Sequence, residues 1–199
     1  MLSNASSIAI IVSAVIVSTA AIVGVQTWRR EMTGKARFDL AKRIMIASFK
    51  FVDDFKWAVN PFTRSGEFVG RVHEQNETDA ESQQLNEWYA RSNRLQQLFD
   101  DLKIIQEGHW ESKALFNEAM SSKVEEALTI CKEAYGELSS AISTYFDIKV
   151  QGAKTAKQYK DQDFLRELHK TIYGVNKDIS EKVDKVVGDL GLALTSYIR

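Results

Sequence analysis

The chain has 199 residues, a formal net charge of −1, one cysteine, one proline and ten glycines. A lone Cys131 excludes an intramolecular disulfide and a cysteine-cluster metal site, which suits a reducing compartment. Residues 44 to 199 sum to −5 without a basic stripe, so nucleic acid is not an expected partner.

From Met1 to Trp28 there is no ionisable side chain, and Ile8 to Val25 is almost wholly Ile, Val and Ala. At 1.5 Å per residue, about 20 apolar residues match a hydrocarbon core of about 30 Å, so residues 1–28 read as an N-terminal transmembrane anchor. The stretch Arg29 to Arg43 carries six basic and two acidic residues, net +4. By the positive-inside rule the N-terminus lies outside, and residues 29–199 form a cytoplasmic domain at the inner membrane. Trp28, Arg29, Arg30, Lys35 and Arg37 fall at the membrane interface, facing anionic lipid along Arg29 to Arg43. A cleaved signal peptide is the rival, with Ser18-Thr19-Ala20 as its site. The missing basic n-region, the length of the apolar run and the charge on the C-terminal flank argue against it. Ser6, Ala9, Ser13, Ala20 and Gly24 form a small-residue line, which gives a homo-oligomer through Ser13, Ala20 and Gly24 as one expectation. The plain alternative is that small residues are common in spans.

The spacing predicts a first soluble helix over about Lys35 to Val59, with Phe38, Ala41, Met45, Phe49, Val52, Phe55 and Val59 on the inward side and Leu40, Ile44 and Phe51 widening it. It stops at Asn60-Pro61, because proline lacks the donor and restricts its predecessor. Gly34 alone separates it from the span, so one rod, with a bend at Gly34 as an option, is expected. A second helix starts at a capping box, Thr78 to Glu81, carries Leu85, Trp88, Leu95, Phe99, Leu102 and Ile105, and is expected to end at Gly108. A third carries Val124, Leu128, Cys131, Tyr135, Leu138, Ile142 and Tyr145 in steps of four and three. Its start within Trp110 to Ser122 is open, and its end is placed near Gly152. A fourth spans about Lys157 to Tyr173. The last, capped at Asp178 to Glu181, turns Ile179, Val183, Val186, Val187, Leu190, Leu194 and Tyr197 to one side. The fold class is therefore all-α, a transmembrane helix followed by an antiparallel bundle of four or five helices.

The connection of residues 60–77 is long for a compact domain. Its Phe62, Phe68, Val69 and Val72 are too apolar for a disordered linker and are expected to tuck the loop against the bundle. The functional alternative is a docking loop for a protein partner, with Phe62, Arg64, Phe68 and Arg71 as contacts. Asn76-Glu77-Thr78 matches a glycosylation sequon but falls on the cytoplasmic side.

No phosphate loop surrounds Gly34-Lys35. None of His73, His109 and His169 has Glu three residues before it, and Cys131 sits on an apolar seam as a packed thiol. Asp53-Asp54, Asp100-Asp101 and Glu125-Glu126 point about 100° apart on a helix and read as solvated faces. Asp54 and Asp100 could meet across two helices around a cation. No catalytic residue, metal or cofactor is expected.

Trp28 to Lys35, Leu40 to Arg43, Phe49-Lys50, Asp53 and Asn60-Pro61-Phe62 resemble the opening of a family of uncharacterised bacterial proteins with one N-terminal membrane helix. Ile172-Tyr173-Gly174 and the amphipathic helix after it resemble that family's end. The chain departs from the pattern at Val52, where Arg is expected. The resemblance implies a bacterial inner-membrane location and brings no activity with it. The expected function is a membrane-tethered, non-enzymatic interaction or scaffold module. A sensory bundle with a ligand pocket near Trp57 and Trp88 is the alternative, and an enzyme of unrecognised type ranks last.

Overall fold

A computed structural model describes residues 2–73, 77–149, 162–173 and 177–198 and, in the first helix, side chains from Ser13 onward. Five α-helices follow in order: α1 (Leu2–Ala58), α2 (Asp79–Leu115), α3 (Glu118–Lys149), α4 (Gln162–Ile172) and α5 (Lys177–Ile198), with a 3-10 turn at Ser65–Phe68. No strand occurs among the described residues, as the helical periodicity demands.

The rod expected across Gly34 is present as one unbroken helix, and nothing packs on Gly34. Among the described residues no helix is long and apolar enough to cross a membrane. The predicted span begins at Ile8, and the side chains of residues 1–12 lie outside the described set. In the described part, residues 13–35, every residue is exposed, and Val15, Ile16, Val17, Ile22, Val23, Val25, Trp28 and Met32 are all more than half so. Ser13, Ala20 and Gly24 are exposed as well.

From Leu40 onward the same helix enters the bundle. Leu40, Ala41, Ile44, Ala47, Phe51, Val52, Phe55 and Ala58 are buried, so the inward face is turned away from Phe38 and Phe49, both of which stay partly exposed. Phe49 was expected inside. It lies instead along the edge of α1, its ring against Gly191, where a glycine leaves room for it.

Paired side chains fix the helix directions. Arg37 Nε donates to the Leu115 carbonyl at 2.6 Å, Arg43 pairs with Glu111, and Lys50 with Asp101, so α2 runs antiparallel to α1. Trp88 stacks on Phe146 and Phe99 packs on Tyr135, which sets α3 antiparallel to α2. Lys56 pairs with Asp184, so α5 runs antiparallel to α1, and α4 packs on α3. One core cluster gathers Phe51, Phe55, Leu98, Ile105, Cys131, Leu138, Val183 and Val187. A second, toward the α2–α3 turn, gathers Leu40, Ile44, Met120, Val124, Leu190 and Leu194.

Gly108 does not end α2, which continues to Leu115. It is buried against Ile44 of α1, and a Cβ there would meet Ile44 Cγ1 at 2.5 Å. The absent side chain serves packing, not termination. The break falls at Phe116-Asn117 instead. The Phe116 N–H donates to the Ser112 carbonyl, and the Asn117 side chain accepts from the Met120 N–H at 2.9 Å as the cap of α3. The capping box of α2 is as expected, with the Glu81 N–H on Thr78 Oγ1 and the Thr78 N–H on Glu81 Oε2. The expected end of α3 near Gly152, the first residues of the fourth helix from Lys157, and Asn76 of the sequon lie outside the described residues.

Candidate functional site

Polar groups concentrate where α1 stops, along the first five turns of α2. Arg91 and Arg94 lie one turn apart there and are 3% and 2% exposed. Buried guanidinium groups are costly unless their donors are met, so the two arginines are best compared donor by donor.

Arg94 is saturated. Its Nε donates to Glu67 Oε2 at 2.6 Å, Nη1 to the carbonyls of Trp57 and Asn60, and Nη2 to the Phe62 carbonyl and Glu67 Oε1. Those five bonds use all five donors of the fork. The Trp57 carbonyl belongs to the last turn of α1, where it also accepts from the Asn60 N–H, and the Asn60 carbonyl follows just before Pro61. The guanidinium also lies 4.3 Å from the centre of the Trp57 ring, over which Arg64 stacks at 4.7 Å. Burial works to raise the pKa of Glu67, yet the Arg94 guanidinium and the Arg64 backbone N–H hold it below the usual value.

Arg71 anchors the other end of the loop. Its Nη1 and Nη2 clasp Glu77, at 2.8 and 2.6 Å, while Nε reaches Asn86 Oδ1 at 2.6 Å and Nη2 also reaches Ser82. Thus charge, not apolar burial, seats the loop. The expectation that its apolar residues tuck inward is met only by half-buried Phe68. Phe62, Val69 and Val72 are 76% to 87% exposed. Of the four expected contact residues, Phe62 and Arg64 are exposed, Phe68 is half-buried, and the Arg71 side chain faces inward to its own loop and helix.

Arg91 is not saturated. Nε and Nη2 both donate to Glu87 Oε1 at 3.1 Å, and Nη1, although buried, has no partner among the described residues. Tyr173 completes the cluster. Its hydroxyl donates to the same Glu87 Oε1 at 2.8 Å, and its ring lies under the guanidinium at 4.5 Å. Burial and then the bond to Glu87 push the Tyr173 phenol up to about 12. Beside this cluster a cavity of about 120 Å³ opens between α2, α3 and α4, lined by Gln84, Glu87, Trp88, Arg91, Ile142, Tyr145, Phe146 and Ile172. The expected pocket near Trp57 and Trp88 therefore divides. Trp88 lines a cavity, whereas Trp57 is taken up by the two arginines.

The chain matches no known family, curated protein or solved structure.

Two other expectations resolve nearby. Asp54 does not meet Asp100, which accepts from Gln96. Its neighbour is Asp101, and Lys50 bridges both carboxylates at 3.3 and 2.7 Å. Burial raises the pKa of Asp101, Lys50 opposes this and Asp54 adds to it, with a net rise; the bond to Asp101 raises Lys50. A cation from solution has no vacancy there, because an ammonium group already fills the place. Cys131 is fully buried and burial pushes its thiol up to about 12, which fits a packing role. Among the described residues no set of three or more His, Cys, Asp or Glu is arranged to hold a metal.

Proposed function

We propose that the chain is a single-pass membrane protein whose helical bundle, on the cytoplasmic face of a bacterial inner membrane, acts as a non-enzymatic tethered interaction module. The observation that carries this reading is the division of α1. One continuous helix is apolar and uncovered over residues 13–28, basic over the next turns, and buried from Leu40 onward. Exposed Val, Ile and Trp in such density are costly in water and are met by lipid. The +4 segment that follows sets the orientation and faces anionic lipid. Self-association through Ser13, Ala20 and Gly24 is part of the proposal, because steps of seven and four keep them within about 40° of one helix face.

At the other end of the bundle, Arg94 and Arg71 hold the loop in a fixed shape while Phe62, Val69 and Val72 face outward. A loop that spends its buried bonds on holding apolar side chains in water suits a partner with an apolar recess and an acidic group for Arg64. Tethering raises the effective concentration of such a weak contact. The ligand-binding alternative is favoured by one observation, the cavity beside Arg91.

The test is in two steps on the full chain. Alkaline carbonate should leave it in the membrane fraction, and removal of residues 2–27 should release it; release of the intact chain refutes the anchor. Photo-crosslinkers at Val69 and Val72 should capture one protein that a crosslinker at Lys132 does not. Equal capture at all three positions refutes the docking loop.

A further inference from the structure

The cavity between α2, α3 and α4 holds an asymmetry that packing does not account for. Arg94 uses every donor, while Arg91, one turn earlier and as deeply buried, leaves Nη1 without a partner among the described residues. A buried donor left unmet costs on the order of 1–3 kcal/mol, more when charged, and a native fold keeps such a group where something else meets it.

We propose that this cavity binds a small, uncharged, planar amide, with its carbonyl oxygen on Arg91 Nη1 and its N–H on Glu87. The inference goes beyond the tethering reading and stands whether or not that reading survives. Three features select the ligand. The first is charge. Glu87 already balances Arg91, so a carboxylate ligand would leave a net negative charge in a partly desolvated site, whereas a carbonyl meets Nη1 without one. The second is the pairing of a donor with an acceptor. Three donors converge on Glu87 Oε1, and both Glu87 and Arg91 line the cavity, so it offers a carboxylate acceptor as well as an unmet N–H group. A molecule with adjacent C=O and N–H, such as an aromatic amide or a pyrimidine ring, complements that order. The third is shape. Trp88 and Phe146 stack 4.1 Å apart on one side, with Tyr145, Ile142 and Ile172 completing the walls. A volume of about 120 Å³ approaches that of a benzene-sized cavity, about 150 Å³.

Benzamide and benzoate share a ring and differ in charge and in the N–H, so they are the probes. Each is titrated into the full chain in nanodiscs, and the Trp88 indole N–H resonance reports occupancy. Benzamide is expected to saturate that shift, with benzoate at least tenfold weaker. Arg91→Lys should weaken benzamide at least tenfold while the thermal transition persists. Should that variant unfold, Glu87→Gln decides the matter: with the neutralising carboxylate gone, preference should turn toward benzoate. No benzamide shift at millimolar concentration, unchanged affinity in a folded Arg91→Lys, stronger benzoate binding to the unaltered chain, or an unaltered preference in Glu87→Gln would each overturn the assignment.

Discussion

Gly108→Ala sets two known effects of opposite sign against each other, and Gly136→Ala isolates one of them. In a helix interior, alanine is favoured over glycine by about 0.5–1 kcal/mol, and that gain applies to both sites. Gly136 lies on the exposed side of α3, and an added methyl would meet nothing within 4 Å, so the gain should appear whole there. At Gly108 the added Cβ would stand 2.5 Å from Ile44 Cγ1 and 3.0 Å from Cδ1, against an ordinary carbon separation of about 3.5–4.0 Å. Ile44 is fully buried in the second core cluster, so about 1 Å must come from a shift of α1 against α2. Overpacking of that kind costs about 1–3 kcal/mol. Because the propensity gain cancels in the comparison, Gly108→Ala should be less stable than Gly136→Ala by about 1–3 kcal/mol. Urea denaturation of the full chain in one detergent, followed by helix circular dichroism, measures the difference. Adding Ile44→Ala to Gly108→Ala should cost less than Ile44→Ala alone, since the methyl enters the space vacated. A Gly108→Ala chain as stable as Gly136→Ala would refute the close crossing of α1 and α2.

Arg94→Met removes the group that joins the end of α1 to the loop, taking the guanidinium from the Asn60 and Phe62 carbonyls and leaving the half-buried Glu67 carboxylate without its charge partner, and should destabilise the fold by about 3–5 kcal/mol. Hydrogen exchange should speed up over residues 57–68 before it does so in α3. Acid titration should show two opposed carboxylates. Glu67 is held below its unfolded value, so its contribution is complete above about 4.5 and is lost as pH falls through the folded value; Glu67→Gln should lessen acid sensitivity in that window. Asp101 is raised above 3.8, so the fold gains from its protonation, and stability from this group falls as pH rises through the folded value. Asp101→Asn should remove that decline. Denaturation midpoints from about pH 3 to 7 check both signs.

The bundle was legible because apolar residues recur at helical spacing. The seams of α3 and α5 hold nearly residue for residue, from Val124 to Ile142 and from Val183 to Leu194. The buried arginines were not legible, since an arginine on a helix reads as a solvated one. A signal was present all the same. The seam Leu85, Trp88, Leu95 skips the turn at residues 91 and 92, where an apolar residue is due, and Arg91 stands in that gap. Gly108 misled because a glycine just after the last apolar residue of a helical series reads as a helix end, and only the neighbouring helix shows why it is there. The loop misled for a similar reason. Its apolar content suggested burial, while the bonds that seat it run from Arg94 and Arg71 to carbonyls and carboxylates whose positions no periodicity reveals.

The pairing of α1 with α5 also has a meaning in time. Lys56 meets Asp184 and Phe49 meets Gly191, contacts about 130–140 positions apart along the chain. Synthesis at about 5–20 residues per second puts roughly 7–30 s between the emergence of the two partners. Helical bundles fold in microseconds to milliseconds once all parts are present. Once α3 has emerged, Ile44 has α2 and α3 against it, but for the last part of that interval it still lacks Leu190 and Leu194. The hazard of wrong association during birth of the chain is therefore governed by the pace of the ribosome, and a slow stretch of translation between α3 and α5 would lengthen it in direct proportion.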